Sequence, residues 1–192
     1  MIEIIHRVND TRNLIRTSSS YGVEIDIRSD NDNLILAHDP KEKGQNFEDY
    51  IKNYNHKLLV ANIKEAGIEE DVINKLRSRG LTDFFLLDTE FPYILNNYEK
   101  YGEFLSVRYS KKESIYTVEN FIGKIKWVWI DTYEDIELDS KTIKILKNFN
   151  ICLVSPSRWG NGEKLNFFLD KFVNCNLTIT GVMIERDEKV NF

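Results

Sequence analysis

The chain is poor in the residues that staple or interrupt a fold. Its 192 residues include two cysteines and three prolines. Two cysteines make no disulfide framework. Cys152 and Cys175 lie in the apolar contexts ICLVS and FVNCNLT, which reads as packing of small hydrophobic side chains. No Cys/His spacing matches a zinc site. No Pro/Gly/Ser linker, internal repeat or low-complexity run divides the chain, so residues 1–192 read as a single domain. The longest apolar runs are about five residues, against the roughly 20 that a membrane helix needs. The first residues, MIEIIHRVND, contain an early acid and no apolar signal-peptide core, so a cytoplasmic location is expected. Positive charge is also scarce. With 26 Lys+Arg against 31 Asp+Glu the net charge is −5, which argues against nucleic acid or an anionic membrane surface as a partner.

What the chain does have is core material and rhythm. It is 42% hydrophobic and carries 11 Phe, 9 Tyr and 3 Trp, which excludes a disordered segment. Short runs rich in Ile, Val, Leu and aromatics recur at 2–6, 22–27, 34–38, 57–63, 84–88, 104–108, 127–131, 151–155 and 181–185. Each reads as a strand. Helical spacing fills most of the gaps. Ile68, Val72, Ile73 and Leu76 share a face, with Gly80 as C-cap. Residues 139–149 present Ile143, Leu146 and Phe149, and segments 47–54, 90–101 and 162–175 are similar. The gap RSDNDN between the second and third runs is too short for a helix and full of turn residues. The third run is therefore the returning arm of a hairpin. The other eight alternate with helices, which implies parallel strands with right-handed crossovers. The expected fold is a small (β/α)8 TIM barrel with some short or missing helices and a β-hairpin extension after the second strand. An open doubly wound sheet is the alternative. No G-x-G-x-x-G or P-loop sequence favours a nucleotide fold.

Chemistry in such a barrel gathers at the C-terminal ends of the strands. Those ends carry His6-Arg7, Glu24 with Asp26, His38-Asp39, Asn62 with Lys64, Asp88, Arg108, Asp131, Ser155 and Glu185. Strand ends meeting solvent explain about half of these. Glu24 and Asp26 ask for more. At i and i+2 of a strand they point to one face, with Val23, Ile25 and Ile27 on the other. Two adjacent inward carboxylates repel unless a positive group lies between them, and a divalent cation is one natural solution. The bland alternative is a pair of solvated acids on an edge strand. The hairpin brings His38 back toward Glu24 and Asp26, and so places two imidazoles and two carboxylates on one mouth. Histidine suits acid/base work near neutrality. The third histidine, His56, precedes a strand and reads as structural. Arg108 ends a strand and is placed to hold a phosphate or carboxylate. Ser155-Pro156-Ser157-Arg158 is a weak phosphate signal. Trp129 shares strand parity with Asp131 and so faces the lumen. With Tyr133 and Trp159 it reads as core or as an aromatic wall.

The pattern Ile5-His6-Arg7, then Glu24-Ile25-Asp26, then His38-Asp39-Pro40 resembles the glycerophosphodiester phosphodiesterase family, within the phospholipase C-like phosphodiesterases. The match covers about the first third of the chain. The resemblance implies metal-dependent cleavage of a phosphodiester, by hydrolysis or by attack of a neighbouring substrate hydroxyl. It implies His6 and His38 as the acid/base pair. Glu24, Asp26 and Asn62 would hold one Mg2+ or Ca2+, and Arg7 and Lys64 would bind phosphate oxygens. The substrate would be a small phosphodiester, such as a lipid-derived glycerophosphodiester or a phosphoglycerol-bearing glycan precursor. The chain also departs from the family. Asn62 stands where the family has a third carboxylate, Val8 where it has glycine, and the last strand ends Met183-Ile184-Glu185-Arg186 instead of in Thr-Asp. Two rival readings follow: a barrel that binds a phosphorylated ligand without catalysis, and a sugar-phosphate isomerase on the same fold.

Overall fold

The computed structural model describes residues 1–31, 33–188 and 190. Eight parallel strands curl around a common interior: β1 (Ile2–Ile5), β2 (Gly22–Asp30), β5 (Leu59–Ile63), β6 (Phe84–Leu87), β7 (Ser106–Tyr109), β8 (Trp127–Ile130), β9 (Asn150–Val154) and β10 (Ile179–Ile184). The ladder runs β6-β5-β2-β1-β10-β9-β8-β7. Its two edge strands meet through a single bridge, Leu86 to Leu105, where the Ser106 hydroxyl also donates to the Leu86 carbonyl at 2.7 Å. Helices α1 (Thr11–Arg16), α2 (Phe47–Ile51), α3 (Glu69–Ser78), α4 (Phe91–Tyr101), α5 (Ile115–Glu119), α6 (Ser140–Leu146) and α7 (Leu165–Asn174) fill the crossovers. Among the described residues no helix is long and apolar enough to cross a membrane.

Three elements escape the sequence pattern. Helix α1 buries only Leu14 and α5 only Val118, so neither writes an apolar stripe. Both are started by caps: Asp10 accepts from the Asn13 amide, and Ser114 from the Tyr116 amide. Strand β4 (Gln45–Asn46) is two residues long and adds to the hairpin edge.

The hairpin follows the turn chemistry. Strand β3 (Asn33–Leu36) pairs antiparallel with β2 from Asp30–Asn33 to Ile27–Leu36, and Asn31 takes a left-handed φ of 53° at the turn. The Ala37 amide then donates to the Asp26 carbonyl at 3.1 Å, which lays the chain before His38 against the acidic strand end. Arg28 bolts this corner. Its guanidinium donates to the carbonyls of His38 and Lys64, at 3.0 to 3.1 Å.

Strand parity divides the core in two. Val23, Ile25 and Ile27 pack outward with the helices and hairpin. A smaller inner cluster of Ile4, Leu58, Val60, Phe85, Leu87, Trp127, Trp129, Cys152, Val154 and Met183 fills the lumen. Phe85 stacks on Trp127 with ring centroids 4.5 Å apart. Gly181 leaves room for this packing, since a Cβ there would lie 2.8 Å from Ile4 Cδ1. The plug closes the N-terminal end and leaves the C-terminal mouth open to polar side chains. Of the two cysteines, Cys152 belongs to this plug, whereas Cys175 is half-buried beside the outer core. His56 is buried behind the sheet, where its Nε2 bonds the Thr17 carbonyl at 2.9 Å.

Candidate active site

A cavity of about 180 Å³ opens on top of the inner plug. His6, Arg7, Glu24, Asp26, His38, Asn62, Lys64 and Arg108 all line it. The same parity that sends Ile4, Val60, Trp129 and Met183 into the plug sends His6, Asn62, Asp131 and Glu185 to the mouth one step further along.

Glu24 and Asp26 sit side by side, each 1% exposed. Arg7 follows β1 in the left-handed region, with φ of 52°. That turn is costly for a side chain with a Cβ, and it aims the Arg7 amide at Glu24 Oε2, 2.8 Å away. Glu24 Oε1 accepts from Asn62 Nδ2 at 3.0 Å, because β2 and β5 pair Asp26 with Asn62 in register. Asp26 Oδ2 accepts from Asn9 Nδ2 at 2.7 Å, and the Asp26 amide donates back to Asn9 Oδ1 at 2.8 Å. Cations are fewer. Lys64 Nζ lies 3.1 Å from Asp26 Oδ1, in an ion pair without hydrogen-bond alignment, and Arg7 Nε is 3.9 Å from Oδ2. Burial, and then the Asp26 charge, push the Glu24 carboxyl up to about 7.

The imidazoles flank this pair, and each is held through Nδ1 by a carboxylate. His38 Nδ1 donates to Asp39 Oδ1 at 2.8 Å. Its Nε2 meets Arg7 Nη2 at 2.5 Å. A guanidinium only donates, so Nε2 is the acceptor and the ring proton sits on Nδ1. His6 Nδ1 lies 3.2 and 3.4 Å from the two Glu185 oxygens, and its Nε2 is 3.9 Å from Glu24 Oε2. Burial, reinforced by Arg158, holds the His6 imidazole down to about 4, against the pull of Glu185.

The far wall is different. Arg108 meets Asp88 and Asp131 through its two terminal nitrogens and Glu113 through Nε at 2.9 Å. Asp131 also accepts from Trp129 Nε1 at 3.1 Å. Burial opposes the Arg108 charge, and the three carboxylates outweigh it, so its pKa rises. Burial raises Asp131 against the pull of Arg108. Arg108 thus lines the cavity as expected, but three carboxylates occupy its guanidinium.

Sequence reasoning singled out too little in three places. Asn9, the hydrogen-bond partner of Asp26, lies in a loop where its identity alone signals nothing. Arg158 lines the cavity and stands 3.5 Å from Glu185, although its tetrapeptide gave only a weak signal. Glu185 itself ends a strand on the inward parity, which was the available clue. Trp159 reaches the rim and packs edge-on against Tyr133, with centroids 5.5 Å apart.

The donor set can be weighed for a cation. Asp26 Oδ1 and Asn62 Oδ1 are buried with no hydrogen-bond partner. They belong to or adjoin the buried carboxylate pair, whose nearest cation is Lys64 Nζ, 3.1 Å from Asp26 Oδ1. Oxygen donors of this kind suit a hard cation. Among the described residues no group of three or more His, Cys, Asp and Glu side chains forms a metal cluster. The set is therefore two carboxylates and an amide. That fits a cation which keeps several of its waters, as Mg2+ does.

The fold is similar to that of two solved glycerophosphodiester phosphodiesterases. A solved structure of a glycerophosphodiester phosphodiesterase from Agrobacterium tumefaciens superposes with a TM-score of 0.65 over 97% of this chain and 96% of that one, at 9% identity. A glycerophosphoryl diester phosphodiesterase from Parabacteroides distasonis superposes with a TM-score of 0.61, over 95% and 81%, at 11% identity. No family model matches the sequence, and no curated protein does. At such identities the likeness is one of fold.

Proposed function

We propose that the chain is a phosphodiesterase of the glycerophosphodiester kind, built on a closed (β/α)8 barrel. Its substrate would be a small phosphodiester, such as a glycerophosphodiester or a phosphoglycerol-bearing glycan precursor. The observation that carries the reading is the convergence of His6, His38, Glu24, Asp26, Arg7 and Lys64 on one cavity at the strand ends.

In this reading Glu24, Asp26 and Asn62 hold one divalent cation, Mg2+ or Ca2+. Once bound, such an ion withdraws negative charge from a phosphoryl oxygen. Lys64 and Arg7 serve the same oxygens from the side. Arg7 donates to His38 Nε2 in the free protein, and a phosphate oxygen is the stronger acceptor. Substrate therefore draws Arg7 away and uncovers His38 Nε2. His6 is unprotonated near neutrality, with Nε2 turned to the cavity, and takes the proton of the attacking hydroxyl. Once uncovered, His38 Nε2 takes a proton from solvent, and the imidazolium, held through Nδ1 by Asp39, gives that proton to the leaving oxygen. Water as nucleophile gives an open phosphate monoester, and a neighbouring substrate hydroxyl gives a cyclic phosphate. Arg108 contributes less to phosphate binding than the sequence suggested, because any phosphate competes there with three carboxylates.

A non-catalytic phosphate-binding barrel is the second reading. Asn62, which donates to Glu24 where the family has a ligand carboxylate, favours it. One experiment separates the two. Glycerophosphocholine and bis(p-nitrophenyl) phosphate are incubated with the protein, with and without Mg2+ or Ca2+, and products are followed by phosphorus NMR. Metal-dependent release of an alcohol supports the enzyme. Binding of glycerol phosphate without turnover under any metal overturns it in favour of the second reading.

A further inference from the structure

The segment after β10 ties itself to the turn after β9. Glu188 accepts from the Ser155 hydroxyl at 2.5 Å and from the Ser157 hydroxyl at 2.6 Å. Its Oε2 also accepts the Glu185 amide at 3.2 Å, and its own amide returns to the Glu185 carbonyl at 3.0 Å. A second tie comes from the strand, where the His6 amide donates to the Ile184 carbonyl at 3.0 Å. Glu185 is thus fixed at its backbone from two directions. Its carboxylate lies between His6 Nδ1, at 3.2 Å, and Arg158 Nη1, at 3.5 Å. The charged groups that face the His6 ring are Glu185, Arg158, Arg7 and Glu24. Of the two carboxylates, only Glu185 reaches the ring nitrogen that points away from the cavity.

We propose that Glu185 is the positioning residue for His6: it accepts the hydrogen bond of the Nδ1 proton, fixes the ring orientation and leaves Nε2 bare toward the reacting phosphorus. The inference rests on the phosphodiesterase reading for its catalytic meaning, but not for its geometry. An imidazole has two ring nitrogens, and the hydrogen bond made by one decides which proton the other carries. A carboxylate on Nδ1 makes Nε2 the acceptor, as a general base requires. The parallel with His38 supports this, since Asp39 sits on that Nδ1 in the same way. The chain thus presents two carboxylate-imidazole pairs, one supplied by the residue next to His38 in sequence and one by a residue at the opposite end of the chain. Glu188 acts one step further out by holding the Glu185 backbone.

The chain has three histidines, so nitrogen-15 NMR of the imidazoles can be assigned by single substitutions. His56, far from the cavity, is the internal control. At pH 8, in substrate-free protein, His6 is expected to be almost wholly the Nδ1–H tautomer. Glu185→Ala should shift it to a mixture, Glu185→Asp should restore part of the preference, and the His56 signals should not move. In the activity assay Glu185→Ala should lower kcat on the order of 10–100-fold with KM nearly unchanged, and should add little to a His6→Ala background. An unchanged His6 tautomer in Glu185→Ala overturns the proposal. A changed tautomer in a protein that never turns over a phosphodiester leaves the positioning intact and overturns the phosphodiesterase reading instead.

Discussion

On one side of the cavity two almost fully buried carboxylates, Glu24 and Asp26, have mainly neutral partners: the Arg7 amide, Asn62 and Asn9. On the other side one guanidinium, Arg108, meets three carboxylates at once. The two walls use the same residue types and differ in what remains unsatisfied. The first keeps buried oxygens on Asp26 and Asn62 that accept no hydrogen bond. It also keeps a glutamate that burial and a neighbouring charge push up to about 7. The second brings each of its carboxylates onto one guanidinium. A buried charge is expensive, and in the proposed reading the first wall receives a visitor that brings positive charge or presents a phosphoryl group to Lys64 and Arg7. The second wall is organised to hold the strand ends of β6, β7 and β8 in place.

The largest effect should separate the walls by catalysis. His6→Ala and His38→Ala are each expected to reduce kcat on the order of 10²–10⁴, while Tm stays close to that of wild type. The double variant should lose less than the product of the two losses. Near-normal turnover of either single variant, on a substrate the wild type cleaves, would remove the acid/base assignment.

Next comes stability. Arg108→Ala leaves Asp131, whose side chain is 6% exposed, without its cation. We expect a loss of about 2 kcal/mol, below the 3–5 kcal/mol of a fully buried pair because the guanidinium is partly in water. For a chain of this size that corresponds to roughly 4–8 °C in Tm. Glu24→Gln in metal-free protein at pH 8 should raise Tm, because it removes a buried charge that lacks a close cation. A fall in Tm there would mean that the first wall is as self-satisfied as the second.

The pH dependence of stability follows from two opposed groups. Glu24 is raised from 4.5 to about 7 on folding, so its favourable contribution is complete below 4.5 and is lost as pH rises through 7. His6 is lowered from 6.5 to about 4, so its contribution is complete above 6.5 and is lost as pH falls through 4. Across the shared window the two slopes cancel, and metal-free wild type should show a flat Tm profile. Glu24→Gln should then lose stability on acidification from pH 6.5, and His6→Asn should lose it on alkalinisation from pH 4.5. Thermal scans at half-unit pH steps read both. Parallel profiles for all three proteins would contradict the assignment.

The smallest effect concerns the amide. Asn62→Glu adds a charged oxygen to the first wall and should tighten Mg2+ or Ca2+ binding by about tenfold in calorimetric titration, since ligand charge tunes such sites. Affinity that stays the same or falls would show that Asn62 does not face the cation.

The strand-helix rhythm was legible because strand parity and helical spacing act over a few residues. Phe85, Trp127, Trp129 and Met183 fill the lumen for the same reason that His6 and Asp131 reach the mouth. The hairpin was legible from RSDNDN, and with it the return of His38. Helix α1 was not legible, because a helix with one buried residue writes no apolar period and its Asp10 cap looks like any loop acid. The engagement of Arg108 was equally hidden. Asp88, Glu113 and Asp131 come from separate stretches of the chain, and no local pattern says that all three converge on one guanidinium.

By itself the sequence determined the periodicities, the inward parity of Glu24 and Asp26, and the residue types at each strand end. These depend on backbone geometry that repeats every two or 3.6 residues. Only the tertiary structure decided which polar ends become partners. It left Asp26 to Asn9 and Lys64, saturated Arg108 with carboxylates, and carried Glu185 from one end of the chain to His6 at the other. The last of these pairings arises when the sheet curls β10 against β1, a contact between distant segments that local preference cannot encode and that burial of the inner plug enforces.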